Sequence, residues 1–70
     1  MCKINGKKLG ELRTKAGVSQ KELAREIGVS PQSISHYENG ITNPEDIHVE
    51  KICMILKIKK EDIEIHYPTS

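Results

Sequence analysis

Apolar residues recur along this chain at intervals of three and four, the spacing that lines one face of an α-helix. In the first such segment Leu9, Leu12 and Ala16 stand at i, i+3 and i+7. Asn5 precedes the segment and Gly17 follows it, because glycine readily takes the left-handed conformation that ends a helix. The pattern predicts a first amphipathic helix between these two residues.

The next two segments carry clear helix-start signals. Ser19 has the position of a helix N-cap, and Glu22 three residues later completes the sequence of a capping box. In the following segment Pro31 stands at the first helical position, where its missing N–H costs no hydrogen bond. We therefore predict helices over about residues 20–27 and 31–39, joined by a tight turn.

A fourth amphipathic pattern begins after Asn43-Pro44 and covers about residues 45–57. Its inward positions are Val49, Ile52, Cys53 and Leu56. Residues 59–62 then predict a short fifth helical turn. Residues 63–67 alternate between apolar and polar side chains, which favours a short strand.

The length of 70 residues leaves room for one small domain, with its core over about residues 6–63 and a tail over 64–70. Apolar residues make up 36% of the chain, and neither Phe nor Trp occurs. The predicted core is therefore thin and aliphatic. We expect an all-α, compact bundle of five short helices that has no enclosed active site.

Cofactor binding and export are not indicated. The longest apolar run, residues 52–56, is far shorter than the ~20 residues that span a bilayer, and the N-terminus lacks the apolar region of a secretory signal. Cys2 and Cys53 have no paired metal-ligand spacing, so we expect no zinc site, and we interpret Cys53 as a buried apolar residue. The expectation is a reduced, cytoplasmic protein without a cofactor.

The two middle helices have the spacing of a helix-turn-helix. Ala24 is small, as a close helix crossing requires, and Gly28 permits a sharp turn. Ile34 and Tyr37 would hold the later helix against the rest and leave its other side in solvent. In a helix-turn-helix this second helix enters the major groove of DNA.

These residues resemble the Cro/phage-repressor (Xre-type) family of helix-turn-helix proteins. The resemblance rests on Ser19-Gln20-Lys21-Glu22-Leu23-Ala24, Gly28-Val29-Ser30 and Ile34-Ser35-His36-Tyr37-Glu38-Asn39-Gly40. It covers about residues 6–63. It implies a lambda-repressor-like DNA-binding domain of five short helices that binds operator DNA, usually as a dimer.

The resemblance also implies roles by position. Gln20 corresponds to a residue that clamps a DNA phosphate, Gln32 to one that reads base edges, and Asn39 to one that positions the DNA backbone. His36 lies one turn beyond Gln32 and is a second candidate reader. The candidate DNA-binding residues are Gln20, Lys21, Ser30, Gln32, Ser33, Ser35, His36 and Asn39.

Each role has a structural alternative. Gln32, Ser33 and His36 could be solvated surface residues, and Asn39 could serve only as a residue at a helix C-terminus. Two other charged residues, Arg13 and Glu38, fall on faces that turn inward. The resemblance implies that these two form a partly buried ion pair between the first and third helices.

One segment departs from the family pattern. After Asn39-Gly40 the family often has basic residues, whereas this chain has the uncharged sequence Ile41-Thr42-Asn43 before Pro44. Each missing cation removes about one counterion from those released on DNA binding. Either the non-specific affinity for DNA is low, or the phosphate contacts come from Lys7, Lys8, Lys21 and Arg25. These four side chains are equally explained as solvated residues on helix surfaces.

A second apolar set lies outside the predicted core stripe, and exposed aliphatic residues in a thin domain suggest a partner surface. The candidate dimer interface consists of Ile47, Met54, Ile55 and Ile65. Our preferred interpretation is a homodimer through the fourth helix and the tail, with an extended core as the alternative. Such a dimer would place two recognition helices about 34 Å apart, to match a palindromic operator.

The net charge of +1, from 11 basic and 10 acidic residues, does not by itself indicate a nucleic-acid partner. Residues 1–40, however, carry seven basic and four acidic side chains, while residues 41–70 carry four and six. The weakly basic half contains the helix-turn-helix, and we assign the acidic half to packing and pairing.

We therefore predict a sequence-specific DNA-binding regulator, a small dimeric repressor that reads a palindromic operator in double-stranded DNA. The alternative is a protein-interaction module or antitoxin-type partner that uses the same helices as a scaffold. An enzyme is disfavoured, because the acidic clusters Glu45-Asp46-His48 and Glu61-Asp62-Glu64 stand at helix starts, where acidic residues complement the helix dipole.

Overall fold

The computed structural model describes residues 4–64. Four α-helices follow one another: α1 Gly6–Lys15, α2 Gln20–Ile27, α3 Pro31–Glu38 and α4 Asp46–Leu56. The all-α class is confirmed, but the predicted fifth helix is only a three-residue 3-10 turn at Lys60–Asp62. No helix within this part of the chain has the length and apolar content to cross a bilayer.

The first three helices begin at side-chain caps. Asn5, Ser19 and Ser30 each accept a hydrogen bond from the backbone N–H three residues later, at 3.2, 3.0 and 3.2 Å. Each cap satisfies one of the N–H groups that a helix start leaves unpaired. In a capping box the Glu22 carboxylate would accept a bond from the backbone N–H of Ser19. Here it accepts from the Ser19 hydroxyl instead, at 3.3 Å.

Helix ends follow the glycine signals with one exception. Gly17 and Gly28 have φ of 74° and 84°, values that glycine adopts without a Cβ clash. Ala16, which the periodicity placed on the inner face of α1, is instead its exposed C-cap, because the helix ends one residue earlier. At the end of α4 a lysine, Lys57, takes the left-handed conformation with φ of 56°.

The two ends of the described chain meet beside the bundle. Ile4 pairs with Glu64 in an isolated antiparallel bridge, and the Asn5 N–H donates to the carbonyl of Ile63 at 2.6 Å. This short pairing is as much of the predicted 63–67 strand as the structure describes. The remainder, with Ile65, lies outside residues 4–64.

One aliphatic core joins all four helices. The buried side chains of the helices include one aromatic residue, Tyr37. The segments before α1 and after α4 add Ile4 and Ile63 to the core. The core consists of Ile4, Leu9, Leu23, Ala24, Ile27, Ile34, Tyr37, Val49, Ile52, Leu56 and Ile63. Cys53 is partly buried and packs against this core, in the position that the helical pattern predicts.

The start of α1 lies against the end of α3. A Cβ atom at Gly6 would stand 2.2 Å from the carbonyl oxygen of Tyr37 and 2.6 Å from that of Glu38. Glycine at this position therefore lets the positive end of the α1 dipole approach the negative end of α3. No larger residue fits without separating the two helices.

We expect Gly6→Ala to lower the free energy of unfolding by about 3 kcal/mol or more, since backbone atoms must move to relieve the overlap. Chemical denaturation checks this. The control is Gly17→Ala, because a Cβ there would contact no atom beyond the neighbouring residues within 4 Å and only the positive φ is unfavourable. That variant should lose about 1 kcal/mol. Equal losses in the two variants would contradict the proposed close approach.

Candidate nucleic-acid interface

α2, the turn after it and α3 form a helix-turn-helix. The N–H groups of Gly28 and Val29 both donate to the carbonyl of Ala24, at 2.9 and 3.0 Å, and so close the end of α2. Ala24 is 1% exposed where the helices approach each other, and Ile34 is fully buried on the inner side of α3. The turn therefore sets the direction of α3, and burial of its inner side sets its rotation.

The opposite side of α3 is available to a ligand. The Gln32 side chain is exposed in the first turn and makes no hydrogen bond within residues 4–64. His36, four residues later on the same face, is partly exposed. The structure thus places both candidate readers away from the buried residues Ile34 and Tyr37.

Arg13 and Glu38 form an ion pair with two contacts. The Arg13 Nε donates to Glu38 Oε2 at 2.6 Å, and its Nη2 donates to Oε1 at 3.3 Å. The Arg13 Nη1 also donates to the carbonyl of Val18 at 2.7 Å. The side chains are only 15% and 12% exposed, so this pair joins α1, α3 and the segment before α2 in a largely dry environment.

Gln20 takes part in the same network, a contact that the sequence did not reveal. Its Nε2 donates to Glu38 Oε1 at 3.1 Å. A carboxylate can only accept, so the amide must turn its nitrogen toward Glu38. One N–H and the amide oxygen of Gln20 remain for other partners. The side chain predicted to clamp a phosphate is therefore held in place at the first residue of α2.

Asn39 and three serines use their polar groups in α3 and at its two caps. The Asn39 Nδ2 donates to the carbonyl of Ser35 at 2.8 Å and to its hydroxyl at 3.3 Å. Ser30 caps the helix, and its hydroxyl lies 3.0 Å from that of Ser33. These contacts support both ends of α3 and engage the amide nitrogen of Asn39.

The positive charges near this surface are few. Lys21 is exposed at the second residue of α2, directly after Gln20, and Lys7, Lys8 and Arg25 are exposed elsewhere. The loop after α3 carries Ile41, which is 65% exposed. The Ile41 N–H donates to the carbonyl of His36 at 2.9 Å, so this uncharged loop is attached to the end of α3.

The described residues form no cluster of metal ligands. Within residues 4–64 no group of three or more His, Cys, Asp or Glu side chains is arranged to hold a metal ion. Burial, the largest effect, raises the pKa of the Cys53 thiol; Lys60 opposes this shift, while Asp62 and Glu64 add to it. The pKa of Tyr37 is raised by burial first and by Glu45 second. Both groups therefore stay neutral at physiological pH.

The candidate dimer residues divide into three groups. Ile47 and Met54 are exposed by 54% and 78%, so α4 does present apolar side chains to solvent. Ile55 is partly buried against the core and lines a shallow groove together with Met54 and residues of α2 and α4. Ile65 lies outside the described residues.

The geometry, two short helices joined by a tight turn with one side of the second helix buried and the other open, is that of a DNA-binding helix-turn-helix domain. A family model described as helix-turn-helix matches residues 9–63. The chain belongs to this family, of the Xre or Cro/CI type. The proteins of the family are DNA-binding regulators of transcription.

Particular relatives agree with this class. The chain is 36% identical over 56 residues to YgzD of Bacillus subtilis, an uncharacterized HTH-type transcriptional regulator. The aligned region covers 80% of this chain and 85% of that protein. It also matches a longer HTH-type regulator of Archaeoglobus fulgidus at 34% identity, but spans only 25% of that protein. Part of the match is therefore to domains inside larger proteins.

Two solved structures have the same fold. The restriction-modification controller protein C.AhdI of Aeromonas hydrophila superposes with a TM-score of 0.75 at 32% identity, covering 81% of this chain and 86% of that one. The P22 c2 repressor, solved in complex with a synthetic operator, gives a TM-score of 0.75 at 25% identity, with coverage of 80% and 85%. The lambda-repressor-like fold is thereby confirmed.

We expect the Arg13–Glu38 pair to show strong coupling. Removing one charge, as in Arg13→Met or Glu38→Leu, leaves the other largely buried and should cost about 3–5 kcal/mol of unfolding free energy. The double variant Arg13→Met/Glu38→Leu should lose much less than the sum of the single losses. Thermal and chemical denaturation of all four proteins measure this cycle. Additive losses would show that the pair is not coupled.

Proposed function

We propose that this protein is a sequence-specific DNA-binding regulator, a cytoplasmic repressor without catalytic activity that reads a palindromic operator as a homodimer. The observation that carries the proposal is the division of α3 into two sides. Ile34 and Tyr37 are buried, and Gln32 is exposed at the start of the helix with its amide unpaired within residues 4–64. A helix that enters the major groove needs this arrangement.

The start of α2 supplies a contact to the DNA backbone. Gln20 keeps one free N–H after bonding Glu38, and unpaired backbone N–H groups at a helix start attract phosphate. Lys21 adds a charge beside it. Because Glu38 is the last residue of α3, its bond to Gln20 ties the position of this clamp to α3, and the bond to Arg13 ties both to α1. Phosphate contact and base contact are then set by one rigid unit.

Gln32 reads sequence in this proposal. A glutamine amide both donates and accepts, and adenine offers a matching N6–H and N7 in the major groove. His36 contacts a second base pair on the same side of α3. The neighbouring Ser33 and Ser35 are shorter and contact phosphate or base edges at close range.

Selection from random duplex DNA tests the proposal directly. We expect enrichment of a palindrome, and Gln32→Ala should lose about 1–3 kcal/mol of discrimination at particular base positions. Gln20→Ala should instead weaken binding to every sequence by a similar factor. The two variants remove the same kind of side chain, so each is the control for the other. If no sequence is enriched at low salt, the proposed function is wrong.

The salt dependence of DNA binding should be shallow. Only Lys7, Lys8, Lys21 and Arg25 are candidate phosphate contacts, which limits the slope of log K against log salt to about −4 per monomer. We expect Ile41→Lys to make the slope steeper by about 0.9 and to raise affinity for all sequences alike. Fluorescence anisotropy across a salt series measures both. An unchanged slope would show that the loop after α3 lies away from the phosphates.

A second candidate function is docking of a protein partner. The observation in its favour is the uncharged loop after α3, in which Ile41 is 65% exposed. A loop that contacts DNA phosphates would carry basic residues there. Under this alternative Ile41→Lys leaves DNA affinity unchanged, and selection yields no operator.

A further inference from the structure

The four α-helices of the described chain end in a common way. A residue with positive φ stands within two positions of each helix end, and the aliphatic residue after it donates its N–H to a carbonyl five residues earlier. This bond is characteristic of the Schellman type of helix end, in which the aliphatic residue often packs against the last turn. The four aliphatic residues are Val18, Val29, Ile41 and Ile58, with N–H to carbonyl distances of 3.2, 3.0, 2.9 and 3.0 Å.

Ile41, after α3, is the exception among these four residues. The other three are half-buried and pack against the aliphatic core. Ile41 is 65% exposed and takes no part in the core. The same helix end that elsewhere places an aliphatic side chain on the core therefore presents one to solvent at the end of the recognition helix.

The loop that carries Ile41 is held at both ends. The Ile41 N–H donates to the carbonyl of His36, which attaches the start of the loop to α3. At the other end Pro44 is buried, and the side chain of Asn43 accepts a hydrogen bond from the Ile4 N–H at 3.4 Å. The position of Ile41 relative to α3 is thus set by the fold.

The length of α3 places this loop at the edge of the major groove. α3 has eight residues, about 12 Å of helix, and the major groove is about 12 Å wide. A recognition helix contacts base edges with its N-terminal residues, which here include Gln32. The opposite end of α3, with Ile41, then lies where the sugar-phosphate backbone borders the groove.

We infer that Ile41 packs against the deoxyribose groups of the DNA backbone at this edge. An isoleucine side chain has no charge or hydrogen bond for a phosphate, whereas the C–H groups of the sugars offer it an apolar surface. Removal of water from both surfaces supplies affinity without release of counterions. The placement of α3 in the groove rests on the proposed function. Ile41 continues the surface of α3 through its bond to His36, which favours DNA over a protein as its partner.

Binding of the full chain to a mixed-sequence duplex across a salt series tests this contact by fluorescence anisotropy. Ile41→Ala should lower the affinity about fivefold at every salt concentration and leave the slope of log K against log salt unchanged. Ile41→Val should keep most of the affinity. Ile41→Thr has nearly the shape of the valine variant but carries a hydroxyl, so it should bind as weakly as Ile41→Ala.

The matched control is Ile58→Ala, at the equivalent position after α4. Ile58 packs against the core, so its loss should lower the melting temperature and leave the DNA affinity of the folded protein unchanged. Ile41→Ala should do the reverse. Thermal melts and anisotropy of the two variants therefore separate a contact with DNA from a contribution to folding.

A duplex with uracil in place of every thymine separates the sugars from the bases. Uracil lacks the methyl group that thymine presents in the major groove. The ratio of affinities between wild type and Ile41→Ala should be the same on both duplexes. A ratio that falls to one on uracil DNA would show that Ile41 contacts thymine methyl groups, and would overturn the contact with the sugars.

The contact is also overturned if Ile41→Ala changes the salt slope, or if Ile41→Thr binds as tightly as Ile41→Val. Wild-type affinity of Ile41→Ala together with an enriched palindrome would contradict this contact alone and favour a protein partner at Ile41. Loss of affinity in Ile41→Ala without any enriched sequence would support the contact and contradict the proposed reading of an operator. Absence of all DNA binding would contradict both.

Discussion

The carboxylate of Glu38 connects every part of the reading surface. It accepts from Arg13 on α1 at 2.6 Å and from Gln20 on α2 at 3.1 Å, and it stands at the last residue of α3. Arg13 extends the network to the carbonyl of Val18. A carboxylate only 12% exposed is stable in a small core only when its bonds are made, so helix packing and this network depend on each other.

This dependence explains how a thin aliphatic core can hold a precise recognition surface. Ile34 and Tyr37 anchor the inner side of α3, and Gly6 lets the start of α1 rest against its carbonyl end. The network around Glu38 then relates α3 to the first residue of α2. Gln32 and Gln20, on different helices, thereby keep a constant relation to each other, as simultaneous base and phosphate contacts require.

Features with local determinants could be predicted from the sequence. The caps at Asn5, Ser19 and Ser30 and the stop at Gly28 depend on residues within four positions, so pattern reasoning located the helices within one or two residues. The short fifth turn predicted over residues 59–62 is present as a three-residue 3-10 turn at Lys60–Asp62. Ala16 was misplaced since periodicity continues in sequence after the helix has ended.

The sequence by itself determined the all-α class, the helix-turn-helix and the outward position of Gln32, because helix spacing and turn residues specify these directly. Only the tertiary structure decided which polar groups remain free. Gln20 lies 18 residues from Glu38 and Arg13 lies 25 from it, so these bonds exist only once three helices have packed. The same packing left Ile47 and Met54 of α4 in solvent.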